Sequence, residues 1–270
     1  MIRVSPDWLA LREGADAVAR ATALLDPLRA RLRGADPIVI RDLGCGTGSM
    51  GRWLAGRLPG PQHWVLADRD TDLIELAGST LPTEAADGSP VTVESLAGDV
   101  TPLTSADLTG TSLVTASALL DLFTEDEVAG IAAACADARC PALLTLSVTG
   151  HVDIEPRDPL DAGIEAAFNA HQRRTTGGRT LLGPDAVDAA SAAFRDLGAA
   201  VTVLPSPWRL GPDRRSLAQE WLRGWVSAAR AQDPGLAEAA GGYLRRRLDQ
   251  DLRVTVHHSD LLAMPDGGPC

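Results

Sequence analysis

The sequence predicts an α/β domain: a doubly wound, mostly parallel sheet with helices packed on its faces. Three observations predict it. Short apolar runs rich in Val, Ile and Leu alternate along the chain with stretches of helical periodicity, which is the pattern of βαβ units. The first run, Ile38 to Leu43, leads through Asp42 into Gly44, Gly46 and Gly48, a turn suited to join a strand to a helix at the carboxyl edge of such a sheet. The chain of 270 residues is long enough for one such domain with insertions.

Residues 7 to 33 place Leu9, Val18, Leu24, Leu25, Leu28 and Leu32 at helical spacing, and Gly34 ends the segment, so residues 1–35 are expected to form a helical cover ahead of a main domain over 36–270. Strands are expected at Ile38 to Leu43, Trp64 to Ala67, Val91 to Ala97, Ser112 to Ala116, Ala142 to Val148, Val201 to Leu204 and Leu252 to His257. Helices are expected between them at Gly51 to Leu58, Thr71 to Leu81, Glu125 to Ala138 and Pro184 to Leu197. Thr124 with Glu127 reads as a capping box for the third of these. Two insertions, at about 150–183 and 211–250, break the alternation and are expected near the strand ends, where they would cap a pocket.

Composition narrows the chemistry. A formal charge of −11 repels a phosphate backbone, so nucleic acid is not the expected partner. All 25 basic residues are arginine, and without lysine there is no Schiff-base chemistry. No apolar run approaches 18 residues and no basic leader precedes a short apolar block, so a cytoplasmic protein without a membrane segment is expected. Cys45, Cys135, Cys140 and Cys270 lack paired metal spacing. His257 and His258 are neighbours in a strand, where alternation sends them to opposite faces, so no metal is expected from that pair.

The glycine turn implies a cofactor, because glycine lets bare backbone approach a ligand and the next helix offers unpaired N–H groups. Gly46, Gly48 and Gly51 also satisfy G-x-G-x-x-G, the dinucleotide fingerprint. Asp68 ends the second strand about twenty residues further on, placed to accept ribose hydroxyls or, alternatively, to cap the helix before Leu73. Asp42, inside the first strand end, would repel a pyrophosphate and satisfy an ammonium. Gly98-Asp99-Val100 closes the third strand with another acid, suited to an exocyclic amine.

In this order, the glycine turn, Asp68 and Gly98 to Val100 resemble the class I S-adenosylmethionine-dependent methyltransferases of the bacterial small-molecule type, over roughly residues 36 to 150. The resemblance implies seven strands, the last antiparallel and inserted beside the sixth, with S-adenosyl-L-methionine bound by Asp42, Gly44, Cys45, Gly46, Gly48, Asp68, Arg69, Asp99 and Val100. Ser117, in the segment that passes the methionine end of the cofactor, is the expected lining residue, unless it only permits close packing. A looser likeness brings Trp8 and Arg12 towards the cofactor carboxylate, whereas their own context reads as core tryptophan and solvated helix arginine.

Methyl transfer is an in-line displacement that needs alignment and dryness, with a general base helping an acceptor of high pKa. Asp121 and His171 are the candidates for that base; their alternatives are a helix start for Asp121 and a capping or surface histidine for His171. Arg173, Arg174 and Arg179 read as a solvated face or as anion binders. Trp208 is the candidate floor of an apolar acceptor pocket, and Trp221 and Trp225, four apart, form a packing stripe. The segment Ala118 to Asp121 lacks the Asn- or Asp-Pro-Pro-aromatic tetrapeptide of base-methylating enzymes, and Cys140-Pro141 inverts the Pro-Cys order of the cytosine-carbon ones. The acceptor is therefore expected to be a small molecule. Its reacting atom (O, N or C) and the oligomeric state stay open, as do two rival readings: a nicotinamide-dependent oxidoreductase and a non-catalytic S-adenosylmethionine-binding protein.

Overall fold

The computed structural model describes residues 4–266 and contains one eight-stranded sheet with a separate two-stranded hairpin. The strands are β1 (Ile38–Leu43), β2 (Gln62–Asp68), β3 (Val91–Ala97), β4 (Leu113–Ser117), β5 (Ala142–Glu155), the hairpin β6 (Thr175–Thr176) and β7 (Arg179–Thr180), then β8 (Ala200–Pro205), β9 (Trp208–Leu210) and β10 (Arg253–Met264). Their order is β3-β2-β1-β4-β5-β10-β8, with β9 also paired to β10. Strands β1 to β5 are parallel, and β10 is antiparallel to both neighbours. The chain reverses direction of growth at β1 and β4, the switch point where a doubly wound sheet opens a crevice.

Alternation along the strands divides the core. Leu113 and Leu143 turn to a face covered by α2 (Leu25–Arg31), α3 (Ser49–Ala55) and α4 (Thr71–Thr80). Val114, Ala142 and Leu144 turn to the other face, under α5 (Glu125–Asp137) and α7 (Ala186–Asp196). Helix α5 starts at the capping box of Thr124 and Glu127. A third apolar cluster joins α1 (Pro6–Ala19), α6 (Asp161–Gln172), α8 (Arg215–Gln232) and α9 (Ala237–Asp249) to the outer halves of β5 and β10 through Ile154, Val254, Val256 and Trp208.

Three features depart from the sequence-based expectation, the first being that β10 runs seven residues past His257 to Met264. The seventh strand position is shared by β8 and β9, which pair with successive stretches of β10, because Ser206-Pro207 interrupts the ladder and proline has no N–H to donate. Strand β5 runs seven residues past Val148 to Glu155, so residues 150 to 155 are strand rather than the start of an insertion. The extension alternates exposed His151, Asp153 and Glu155 with inward Val152 and Ile154, and a long antiparallel ladder to β10 holds it. Cys45, Cys135 and Cys140 are buried thiols, and Cys270 lies outside the described residues.

Candidate functional site

The turn after β1 passes Gly44, Gly46 and Gly48 with φ of 63°, 52° and 86°, the left-handed region closed to most side chains. At Gly48 an added Cβ would also stand 3.1 Å from Ala77 Cβ and 3.2 Å from its Cα. Asp68, at the end of β2, accepts the Gly46 N–H at 2.9 Å through Oδ2 and the Asp70 N–H at 3.1 Å through Oδ1. Each oxygen keeps a lone pair, so the same carboxylate can shape the turn and accept ribose hydroxyls. It does not cap α4; Asp70 does, accepting from the N–H groups of Asp72 and Leu73. Burial and the neighbouring Asp42 and Asp68 charges push the Cys45 thiol far up, which leaves it a small neutral wall residue.

Asp42 is 1 % exposed. Its Oδ1 accepts the Thr115 hydroxyl at 2.6 Å, and its buried Oδ2 has no hydrogen-bond partner among the described residues. Burial pushes the carboxyl up to about 7, against the Thr115 hydrogen bond and the positive field of Arg20. Arg20, just past the end of α1, is 2 % exposed and reaches over the glycine turn. Its Nη2 donates to Ser49 Oγ at 3.0 Å and Ser117 Oγ at 3.1 Å and the guanidinium lies over the Trp53 ring at 5.4 Å, while Nε and Nη1 are buried with no hydrogen-bond partner among the described residues. Buried polar atoms are almost always paired, and here one oxygen of Asp42 and two nitrogens of Arg20 stay without a hydrogen-bond partner among the described residues.

Beyond β2 and β3 a second cavity of about 260 Å³ is lined by Ala67, Leu96, Gly98, Asp99 and Val100. Asp99 is exposed, accepts the Thr101 N–H at 3.0 Å and hydroxyl at 2.9 Å, and lies 3.8 Å from Arg69 Nη2. Thr101's backbone hydrogen bond is the main reason its carboxyl lies below the ordinary range, so it is ionised at neutral pH. Arg41 and Asp107 line the same cavity, so its wall mixes apolar side chains with charges of both signs.

The larger cavity, about 290 Å³, opens on the other side of β4, between the strand ends and the helical cap. Its wall includes Trp8, Phe168, Trp208, Trp221 and Trp225 with Asp121 and His258 among them. Trp221 and Trp225 stack at 5.2 Å, and Trp8 meets Trp208 edge-on at 6.3 Å. The backbone bends sharply around this space: Ala118 and Leu146, both in the wall, have φ of 52° and 56°. Asp260 fixes that bend. Its Oδ1 accepts the Leu146 N–H (2.7 Å) and the Ser206 hydroxyl (2.5 Å), and its Oδ2 accepts the Ala21 N–H (2.7 Å).

Asp121 belongs to this wall, and burial pushes its carboxyl up to about 6. His171 does not: α6 turns Phe168, Asn169 and Gln172 inward, and a residue next to Gln172 is rotated by about 100° around the helix. His171, expected among the catalytic groups, therefore lies outside the wall that holds Asp121. Arg12 is not the solvated arginine expected; it pairs with Asp16 at 2.9 Å and lies over the Trp208 ring at 5.1 Å. Asp16 in turn accepts the Trp208 indole N–H at 2.9 Å. Arg173 and Arg179 are engaged at home by Asp185 and Glu127. Sequence reading missed Arg20, whose only local signal is an arginine at a helix end, and His258, which is buried with Nδ1 unpartnered and kept neutral, pushed down to about 3 by burial and then by Arg12.

No protein-family profile matches the sequence, and no curated protein matches it either. Solved structures similar to it include a cyclopropane synthase of Mycobacterium tuberculosis (16% identity, 96% of this chain and 94% of the other covered, TM-score 0.48). Another is magnesium protoporphyrin IX methyltransferase of Synechocystis with bound SAH (13%, 98% and 90%, TM-score 0.46). A third is a SAM-dependent methyltransferase of Geobacter sulfurreducens in complex with S-adenosyl-L-homocysteine (16%, 98% and 100%, TM-score 0.44).

Proposed function

We propose that this protein is a methyltransferase that binds S-adenosyl-L-methionine and methylates a small molecule. The observation that carries the reading is the pair of incompletely hydrogen-bonded buried groups next to the glycine turn: Asp42, two residues before it, and Arg20, bonded to Ser49 just after it. An α-amino acid has an ammonium for Asp42 Oδ2 and a carboxylate for Arg20, whereas a pyrophosphate could meet Arg20 but offers nothing to a buried carboxylate. In this reading Asp68, whose oxygens each keep a lone pair, accepts the ribose hydroxyls, and Asp99, in the wall of the neighbouring cavity, accepts the adenine amine.

When bound, S-adenosyl-L-methionine supplies a methyl group on a positively charged sulfur. The protein's part is to hold the acceptor dry and aligned. The tryptophans of the larger cavity exclude water and favour an apolar or aromatic acceptor. Asp121, titrating near neutrality, takes the proton that an oxygen or nitrogen acceptor must lose. The neutral His258 offers a second hydrogen-bonding position to the acceptor, so its polar group can be oriented against an otherwise apolar wall.

Calorimetric titration with S-adenosyl-L-homocysteine and with NAD tests the cofactor. Saturable binding of the first alone is expected; binding of NAD alone would establish the oxidoreductase reading. Transfer of a labelled methyl group to members of a panel of aromatic hydroxyl, amine and carbon acids separates an enzyme from a protein that merely holds the cofactor.

A further inference from the structure

The outer ends of β5 and β10 carry a group of side chains that the glycine-turn site does not use. Their register makes it. Thr255 pairs with Asp153 and Val256 with Val152, and continuing that register sets His257 opposite His151. The ladder then slips, because His258 pairs with Val148 and β5 carries two more residues than β10 between these points. Gly150 sits in the bulge at φ 79°, where a Cβ would lie 2.8 Å from Pro184 Cβ. Alternation puts His151 and Asp153 on one face of β5, and the opposing His257 joins them there.

The result is two imidazoles around one carboxylate. His257 Nε2 lies 2.9 Å from Asp153 Oδ2, His151 Nε2 lies 3.5 Å from Asp153 Oδ1, and one ligand atom from each residue falls within 4.8 Å of the others. Ligands held at about 2.1 Å from a tetrahedral zinc ion are themselves about 3.4 Å apart, so the three atoms need little movement to close on an ion. The other nitrogen of His151 faces Glu165 Oε2 at 3.6 Å, and that oxygen is anchored by the Val152 N–H at 2.8 Å. A carboxylate behind a histidine is the outer partner that fixes tautomer and ring orientation in metal sites. His151 and His257 also belong to the wall of the acceptor cavity.

We propose that His151, Asp153 and His257 bind one divalent transition-metal ion of the zinc type at the mouth of the acceptor cavity, with Glu165 orienting His151. Three protein ligands leave a position on the ion for water or for an acceptor oxygen or nitrogen, the arrangement of sites that act on a ligand rather than merely brace a fold. The ion draws acceptors with a metal-binding group, such as adjacent oxygens or a carboxylate, into the tryptophan-walled cavity. That use rests on the methyltransferase reading; the binding of metal does not.

The test is titration of chelator-treated full-length protein with Co2+ and Zn2+, followed by calorimetry and by the visible absorption of bound Co2+. One ion per chain is expected, with Zn2+ displacing Co2+ from the absorbing site. His151→Ala and His257→Ala are each expected to abolish the absorption, and Glu165→Gln to weaken binding about 10- to 100-fold. His63→Ala, on β2 away from the cluster, is expected to change nothing. Because the ligands are exposed or half-buried, the variants should melt as the parent does; His257→Gln is the fallback if one does not. Absence of stoichiometric binding, or binding that survives both histidine substitutions, overturns the proposal. S-adenosyl-L-homocysteine titrated into the same samples keeps the two questions apart, since it is expected to bind with or without the ion.

Discussion

Asp42→Asn should make the free protein less sensitive to alkaline pH while weakening its hold on the cofactor. In the folded chain the Asp42 carboxyl is pushed from 3.8 up to about 7, chiefly by burial. A carboxyl with a raised folded pKa opposes folding as pH climbs: below 3.8 it is protonated in both states and costs nothing, and between 3.8 and 7 only the unfolded chain gives up the proton. Above 7 the cost is complete, at 1.36 kcal/mol per unit about 4 kcal/mol. Between pH 5 and pH 8 the parent should therefore lose about 3 kcal/mol that Asp42→Asn does not lose. In a chain of this size that is roughly 6–10 °C in melting temperature. The amide keeps an acceptor for Thr115, so the pH slope rather than absolute stability isolates the charge. The substitution also removes the carboxylate that would meet the ligand's ammonium, so affinity for S-adenosyl-L-homocysteine should fall by about 1–3 kcal/mol. Thermal unfolding from pH 5 to 8 and calorimetry at pH 8 give both numbers. Equal pH slopes for parent and variant would refute the burial argument, and an unchanged affinity would take Asp42 out of the site.

Three other perturbations probe neighbouring parts. Arg20→Met should cost at least tenfold in S-adenosyl-L-homocysteine affinity by calorimetry while leaving adenosine binding nearly unchanged, because only the carboxylate end loses its partner. Asp260→Asn should destabilise the fold by about 3 kcal/mol in urea unfolding, since the three donors converging on its two oxygens cannot all be served by one amide oxygen. Asp121→Asn should lower kcat about 10²- to 10⁴-fold for an oxygen acceptor, with cofactor affinity intact, and the acidic limb of the parent's pH–rate profile should fall near 6.

Some of this was legible in the residues because its causes are local. The glycine turn needs left-handed backbone at Gly44, Gly46 and Gly48, and the sequence spells that out. The same holds for the Thr124–Glu127 box that starts α5 and for the bounds of β1 and β3, where apolar runs meet turn residues. The outer half of β5 is not read as strand from the sequence, because Gly150 breaks the apolar run and the alternation of His151, Val152, Asp153, Ile154 and Glu155 beyond it spans only five residues. His171 lay in the expected cap segment, but a rotation of one residue about α6 decides which side chains meet the cavity.

Taken alone, the amino-acid order determined the alternation of strands and helices, the glycine turn that follows Asp42, and the acids that end β2 and β3. Tertiary structure alone decided that Arg20 reaches Ser117, 97 positions away, and that His257 meets Asp153 across 104. The physical reason is range: turn conformation, capping and hydrophobic period act over a few residues and are written in them. Which distant side chains share a site depends instead on strand register and a bulge, which only the packed sheet fixes.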